Sequence, residues 1–164
     1  MHISYLIDNQ ALSSLHLYWR SLKLGKALPS RHDFVAEDVW SWIGHIGLLD
    51  VEREPLRFRI RLQGNHLARL TGFDATGRYL DEVALPLYHD EILAQHRRAT
   101  ETGEPVYASH IDESRPWKRI DRLILPFATD GRTVDLLMTG LYMAVEPWHG
   151  YHGTLFAGYE RAAG

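Results

Sequence analysis

Across residues 56–62, apolar and cationic side chains alternate without a break: Leu56, Phe58, Ile60 and Leu62 against Arg57, Arg59 and Arg61. A period of two belongs to an extended chain, where it gathers all four apolar side chains on one face. A strand that is apolar on one face only keeps that face on a core and the other toward water, as antiparallel sheets do. The run therefore demands partner strands and a covering layer. Glu54-Pro55 marks a turn before it. The apolar set Ile46, Leu48, Leu49 and Val51, within 45–53, supplies the other arm of a hairpin. The three arginines read as the solvated face of the strand. A nucleic-acid surface would need a broader basic face, and the 18 basic and 21 acidic residues give a formal net charge of −3.

Three further strands are expected at 106–111, 117–127 and 134–145, with Asp130-Gly131 as a turn between the last two. The stretch 134–145 is apolar on both faces except at Asp135 and Thr139, which predicts a central strand covered on both sides. Helices are expected at 10–25, 35–43, 64–72, 80–85 and 87–102. In the first, Leu12, Leu15, Trp19 and Leu22 recur at steps of three and four, and Gly25 is a candidate C-cap. That apolar stripe must bury itself, against the chain's own sheet or against a second copy of the chain. In the longest helix Pro86 suits the first turn, Gly103 stops it and Pro105 prevents its return. Trp19, Trp40 and Trp42 suit a seam between the first helix and the rest. The economical architecture is α+β: one five-stranded, mostly antiparallel sheet with helices on one face and an N-terminal helical extension. The expected division is an extension at 1–35, the domain proper at 36–146, and a glycine-rich tail at 147–164.

Several chemistries are set aside. The chain has no cysteine, so disulfides, thiolate metal sites and cysteine nucleophiles are excluded. Residues 72–78, GFDATGR, have P-loop glycine spacing but lack the Lys-Ser/Thr pair that would touch phosphate and Mg²⁺. No nucleophile elbow, dinucleotide fingerprint or paired-histidine zinc motif occurs, and no acid–base pair stands at motif spacing. His149 and His152 fall in a glycine-rich tail with little preorganisation for a metal. No catalytic and no metal-ligating residue is therefore assigned. No apolar stretch approaches 18 residues and no signal sequence is visible, so the expectation is a cytoplasmic chain without a membrane span or a nucleic-acid partner.

Residues 62–83, LQGNHLARLTGFDATGRYLDEV, resemble the stretch that leaves the second strand of PAS domains and enters their helical region. The matching features are Leu67 and Leu70, the turn Thr71-Gly72, the pair Gly77-Arg78, and Leu80-Asp81-Glu82. Residues 92–107, ILAQHRRATETGEPVY, are similar to the long PAS helix with its Gly-x-Pro passage into the third strand. Residues 122–143 are similar to the last PAS hairpin. With the first helix and LPSRHDF at 28–34, the whole resembles short stand-alone PAS-like proteins of proteobacteria.

The resemblance implies a sensory domain that binds a small molecule in its core and relays to a separate partner protein, or a ligand-free interaction module. A small α+β enzyme is the remaining reading. It also implies pairing through helices outside the core, so Leu12, Leu15, Trp19 and Leu22 become a candidate homodimer interface. Haem-binding PAS domains take an axial histidine from the long helix, where His89 and His96 lie seven residues apart on about the same face. A haem is thus one cofactor the resemblance allows, and the cofactor is otherwise unassigned. Asp121 and Arg122 are neighbours on a strand. Either one of them faces the cavity, where an arginine can hold a ligand carboxylate, or the two belong to a surface ion pair. Tyr107 and Met138 complete the candidate cavity wall, with ordinary core packing as their other reading.

Overall fold

A computed structural model describes residues 6–84, 86–112 and 115–145. Helix α1 (Gln10–Ser21) is followed by a looping segment, then strands β1 (Ile46–Glu52) and β2 (Arg57–Gln63). Helices α2 (Asn65–Thr71), α3 (Leu80–Val83) and α4 (His89–Thr102) come next, and strands β3 (Val106–Asp112), β4 (Arg115–Phe127) and β5 (Leu136–Val145) complete the fold. The five strands form one sheet in the order β2-β1-β5-β4-β3, and every pairing is antiparallel. The last strand therefore lies at the centre, between β1 and β4, which explains its apolar character on both faces.

Helix α1 covers one face of this sheet and α4, with the shorter helices, the other. Asn9 caps α1, its side chain accepting from the Leu12 N–H at 3.1 Å. Leu12, Leu15 and Trp19 then face the sheet and are 0%, 0% and 2% exposed. The Trp19 indole N–H donates to the Pro126 carbonyl at 2.9 Å, so the largest buried side chain on the helix is also satisfied. Close approach is made at Gly140 of β5. A Cβ there would lie 2.7 Å from one Leu12 methyl and 3.0 Å from one of Leu15, so only a bare α-carbon lets the helix seat. Ile7, α1 and Leu28 thus share one hydrophobic core with the strands.

The register of the first hairpin departs from simple alternation. Leu48 opposes Leu62, but Leu49 opposes Ile60, so a β-bulge at Arg61 shifts the phase by one residue. Phe58 and Ile60 are buried as expected, whereas Leu62 is 38% exposed and the amide of Gln63 turns inward instead. The arginines behave as a solvated face: Arg59 and Arg61 pair with Glu52 and Asp50 at 2.8 and 3.1 Å. The free edge of β2 is covered by residues 77–79, through the Ile60 N–H to Arg78 carbonyl bond and the Gly77 N–H to Ile60 carbonyl bond.

Three helical expectations change. Helix α1 stops at Ser21 with Leu22 as its C-cap, short of the expected Gly25. Residues 35–43 form successive tight turns rather than an α-helix, with backbone bonds from Val39 to Ala36 and from Trp42 to Val39. The segment is short, carries β-branched Val35 and Val39, and runs straight into Gly44, too little to offset the cost of a helical nucleus. Helix α4 begins at His89, after a 3₁₀ turn over Pro86–Tyr88, with Asp90 and Glu91 in its first turn where the helix dipole favours them. The tail from 146 onward, including His149 and His152, lies outside the described residues.

Candidate functional site

Between the sheet and α2, α3 and α4 lies a cavity of about 160 Å³. Its wall is mostly aliphatic. Leu49, Ile60 and Leu141 come from the strands, and Leu67, Val83 and Ile92 from the helices. The polar groups that reach it are Gln63, Thr71, His96, Arg122 and Thr139. Gln63, turned inward by the bulge, donates to the Thr71 hydroxyl at 3.2 Å and accepts the Ala75 N–H, which ties the loop after α2 to the sheet.

His96 projects from the middle of α4 and is 2% exposed. Its Nδ1 lies 2.7 Å from the Ile92 carbonyl and its Nε2 3.2 Å from the Thr139 hydroxyl. A carbonyl only accepts, so Nδ1 carries the proton, and Nε2 accepts from Thr139. Burial pushes the imidazole down to about 3; the Ile92 hydrogen bond opposes this and the Arg122 charge adds to it. The ring is therefore neutral at physiological pH, with both nitrogens in use.

Arg122 is 6% exposed. Its Nη1 donates to the Gln95 amide oxygen at 3.0 Å, and among the described residues it forms no ion pair. Burial pulls the guanidinium down to about 10 while Glu91 opposes the shift, so the group stays charged at neutral pH. A buried cation held by a neutral amide is costly and leaves most of its donor fork without a strong acceptor.

His96 and Arg122 thus meet at the cavity; the other three predicted wall residues do not. His89 is the first residue of α4, beyond the cavity's end. Its ring bonds the Asp90 carboxylate and the Asp81 carbonyl, each at 3.0 Å, and these contacts raise its pKa, Asp90 the more. Tyr107 opposes Leu123 in the β3–β4 register, and its hydroxyl donates to Asp121 on the opposite face of the sheet. Met138 shares the parity of Gly140 and so packs toward α1. Alternation decides both cases: Asp121 and Arg122, being adjacent, point to opposite faces.

The residues that sequence reasoning missed follow from the same rule. Arg122 pairs with Leu141, and Thr139, Leu141 and Met143 all line the cavity. Only the strand register reveals this set, and no local signal carries it. Gln95 and Gln63 likewise gain meaning only from their partners.

On the other face, Asp121 is fully buried. Its carboxylate accepts from Ser109 at 2.7 Å, Tyr107 at 3.2 Å and Arg119 at 3.1 Å, and the Asn9 amide lies 3.5 Å away. Arg119 also reaches Asp8 at 3.1 Å. This network fastens the start of α1 to β4. Leu12, Leu15 and Trp19 are covered by their own sheet, and Leu22 is half-buried. The proposed dimer face is corrected accordingly: these side chains are already occupied within the chain.

A haem does not fit these residues. The cavity is far below the several hundred Å³ of an ordinary cofactor site, and neither nitrogen of His96 is free for iron. Among the described residues no group of three or more His, Cys, Asp or Glu is arranged to hold a metal ion. No helix among them is long and apolar enough to cross a membrane.

Comparison with known proteins bears on the fold and family. A light-oxygen-voltage domain studied with a flavin analogue is similar at a TM-score of 0.49 and 15% identity, over 67% of this chain and 84% of that one. A sensory box sensor histidine kinase from Vibrio cholerae is similar at a TM-score of 0.48 and 11% identity, over 85% and 98%. The PAS domain of the histidine kinase ThkA is similar at 0.43 and 19%, over 59% and 97%. No curated protein matches. The family model described as a PAS domain matches residues 7–143, from just before α1 almost to the end of β5. The chain, with its N-terminal helix included in the match, belongs to the PAS domain family.

Proposed function

We propose that this PAS domain senses a small molecule held in the cavity between sheet and helices, and relays occupancy to a separate partner protein. The observation that carries the reading is the cavity itself: an aliphatic wall with Arg122 and Thr139 converging on it. Apolar enclosures with a few placed polar groups are the usual form of a small-molecule site. Relay is supported by the shared strand. Arg122 faces the cavity while Asp121 beside it holds the start of α1, which gives occupancy a contiguous route to that helix.

The test is a thermal-shift screen of small organic molecules, followed by hydrogen exchange on any hit. The expected result is a stabilising ligand that also changes exchange in α1. A hit that protects only α4 and the cavity strands would leave binding in place and remove the relay. No stabilising molecule, together with retained binding of a partner protein, would favour the ligand-free interaction module.

A further inference from the structure

Among the described residues, Arg122 is the sole charged residue lining the cavity, since His96 is neutral. Its hydrogen-bond partner, the Gln95 oxygen at 3.0 Å, is a neutral acceptor that satisfies one direction of a planar donor fork. A carboxylate would take two parallel donors and return the charge balance that burial removed. The space available is about 160 Å³, close to the roughly 150 Å³ apolar cavity that admits benzene. That volume excludes nucleotides and flavins. One cation in an aliphatic enclosure also disfavours a second negative charge.

We propose that the cavity receives a small monocarboxylate with a short apolar body, Arg122 binding the carboxylate and Gln95 holding the guanidinium in its absence. This rests on the small-molecule reading above and adds the ligand's class. Gln95 has an outward alternative: its amide nitrogen donates to Glu91 at 3.1 Å and lies 3.4 Å from His110, itself 3.4 Å from Glu91. Transfer of Arg122 to a ligand releases the Gln95 oxygen beside this group at the surface of α4.

The test uses the intact chain and calorimetric titration with benzoate, hexanoate, neutral benzamide and dianionic succinate. The expected result is that benzoate or hexanoate binds at least about tenfold more tightly than benzamide or succinate. Arg122→Met should abolish that preference, Arg122→Lys should weaken it by loss of the fork, and Gln95→Leu should tighten carboxylate binding. Circular dichroism establishes that each variant folds; if Arg122→Met does not, the lysine and leucine variants decide. Equal binding of benzoate and benzamide, unaffected by these changes, would overturn the carboxylate class and leave a neutral-ligand sensor standing. Failure of every probe would overturn the carboxylate class, while the thermal-shift screen described above decides the sensor reading separately.

Discussion

One buried imidazole, that of His96, links the stability of this chain to pH. His96 is buried and neutral, its pKa down at about 3, while in the unfolded chain it protonates near the ordinary histidine value of about 6.5. Between those values the unfolded state binds more protons, so stability falls as pH falls through that window. From pH 6.5 to 5 the loss is about 2 kcal/mol, at roughly 1.4 kcal/mol per pH unit. Urea unfolding at the two pH values should show it in the native sequence. In His96→Gln, which keeps a polar contact with Thr139, that part of the slope should vanish. Equal acid sensitivity of the two proteins would mean that the buried ring is not the titrating group.

At the scale of elements, the seating of α1 depends on what β5 lacks. A side chain at Gly140 meets Leu12 and Leu15 before the helix can close. Gly140→Val should therefore lift α1, with a cost of about 1–3 kcal/mol. Trp19 should report it by a red-shifted emission, and amides in α1 should lose exchange protection. Unchanged Trp19 emission and protection would show that helix and sheet are not in the contact described. This contact also marks how far the sequence could be read. Helical spacing of Leu12, Leu15 and Trp19 specified the buried face of α1, and alternation from Leu56 to Ile60 specified that of β2, because each signal is local. The bulge at Arg61 was not legible: it exchanges Leu62 for Gln63 without changing the pattern of residue types. Nor could the sequence say that Arg122 faces the cavity while Tyr107 and Met138 face α1. The sidedness of a two-face strand is set by pairing partners far along the chain.

For the whole molecule, the question is where a second copy could attach. Leu15 is fully buried, so Leu15→Glu should unfold the chain rather than release a folded monomer. The apolar surface left exposed on this side is the outer side of α1 and the 35–43 turns, where Leu17 and Trp40 are 54% and 74% exposed. Tyr18 and Trp42 stack across these two segments at 5.8 Å and make them one surface. A homodimer paired through this surface predicts that Leu17→Glu combined with Trp40→Glu gives a folded monomer by light scattering. A dimer mass unchanged by the double substitution would place the interface elsewhere.

The alternation along β4 and β5 has an evolutionary consequence. Asp121 and Leu123 of β4 and Met138 and Gly140 of β5 answer to α1. Their neighbours Ile120, Arg122, Thr139 and Leu141 answer to the cavity. Two selective pressures are thus interleaved in one stretch of chain without sharing a side chain. Substitutions that reshape the cavity can accumulate on one set while the residues that seat the helix stay fixed; under the sensor reading proposed above, ligand preference can then diverge between relatives that keep the same α1 packing.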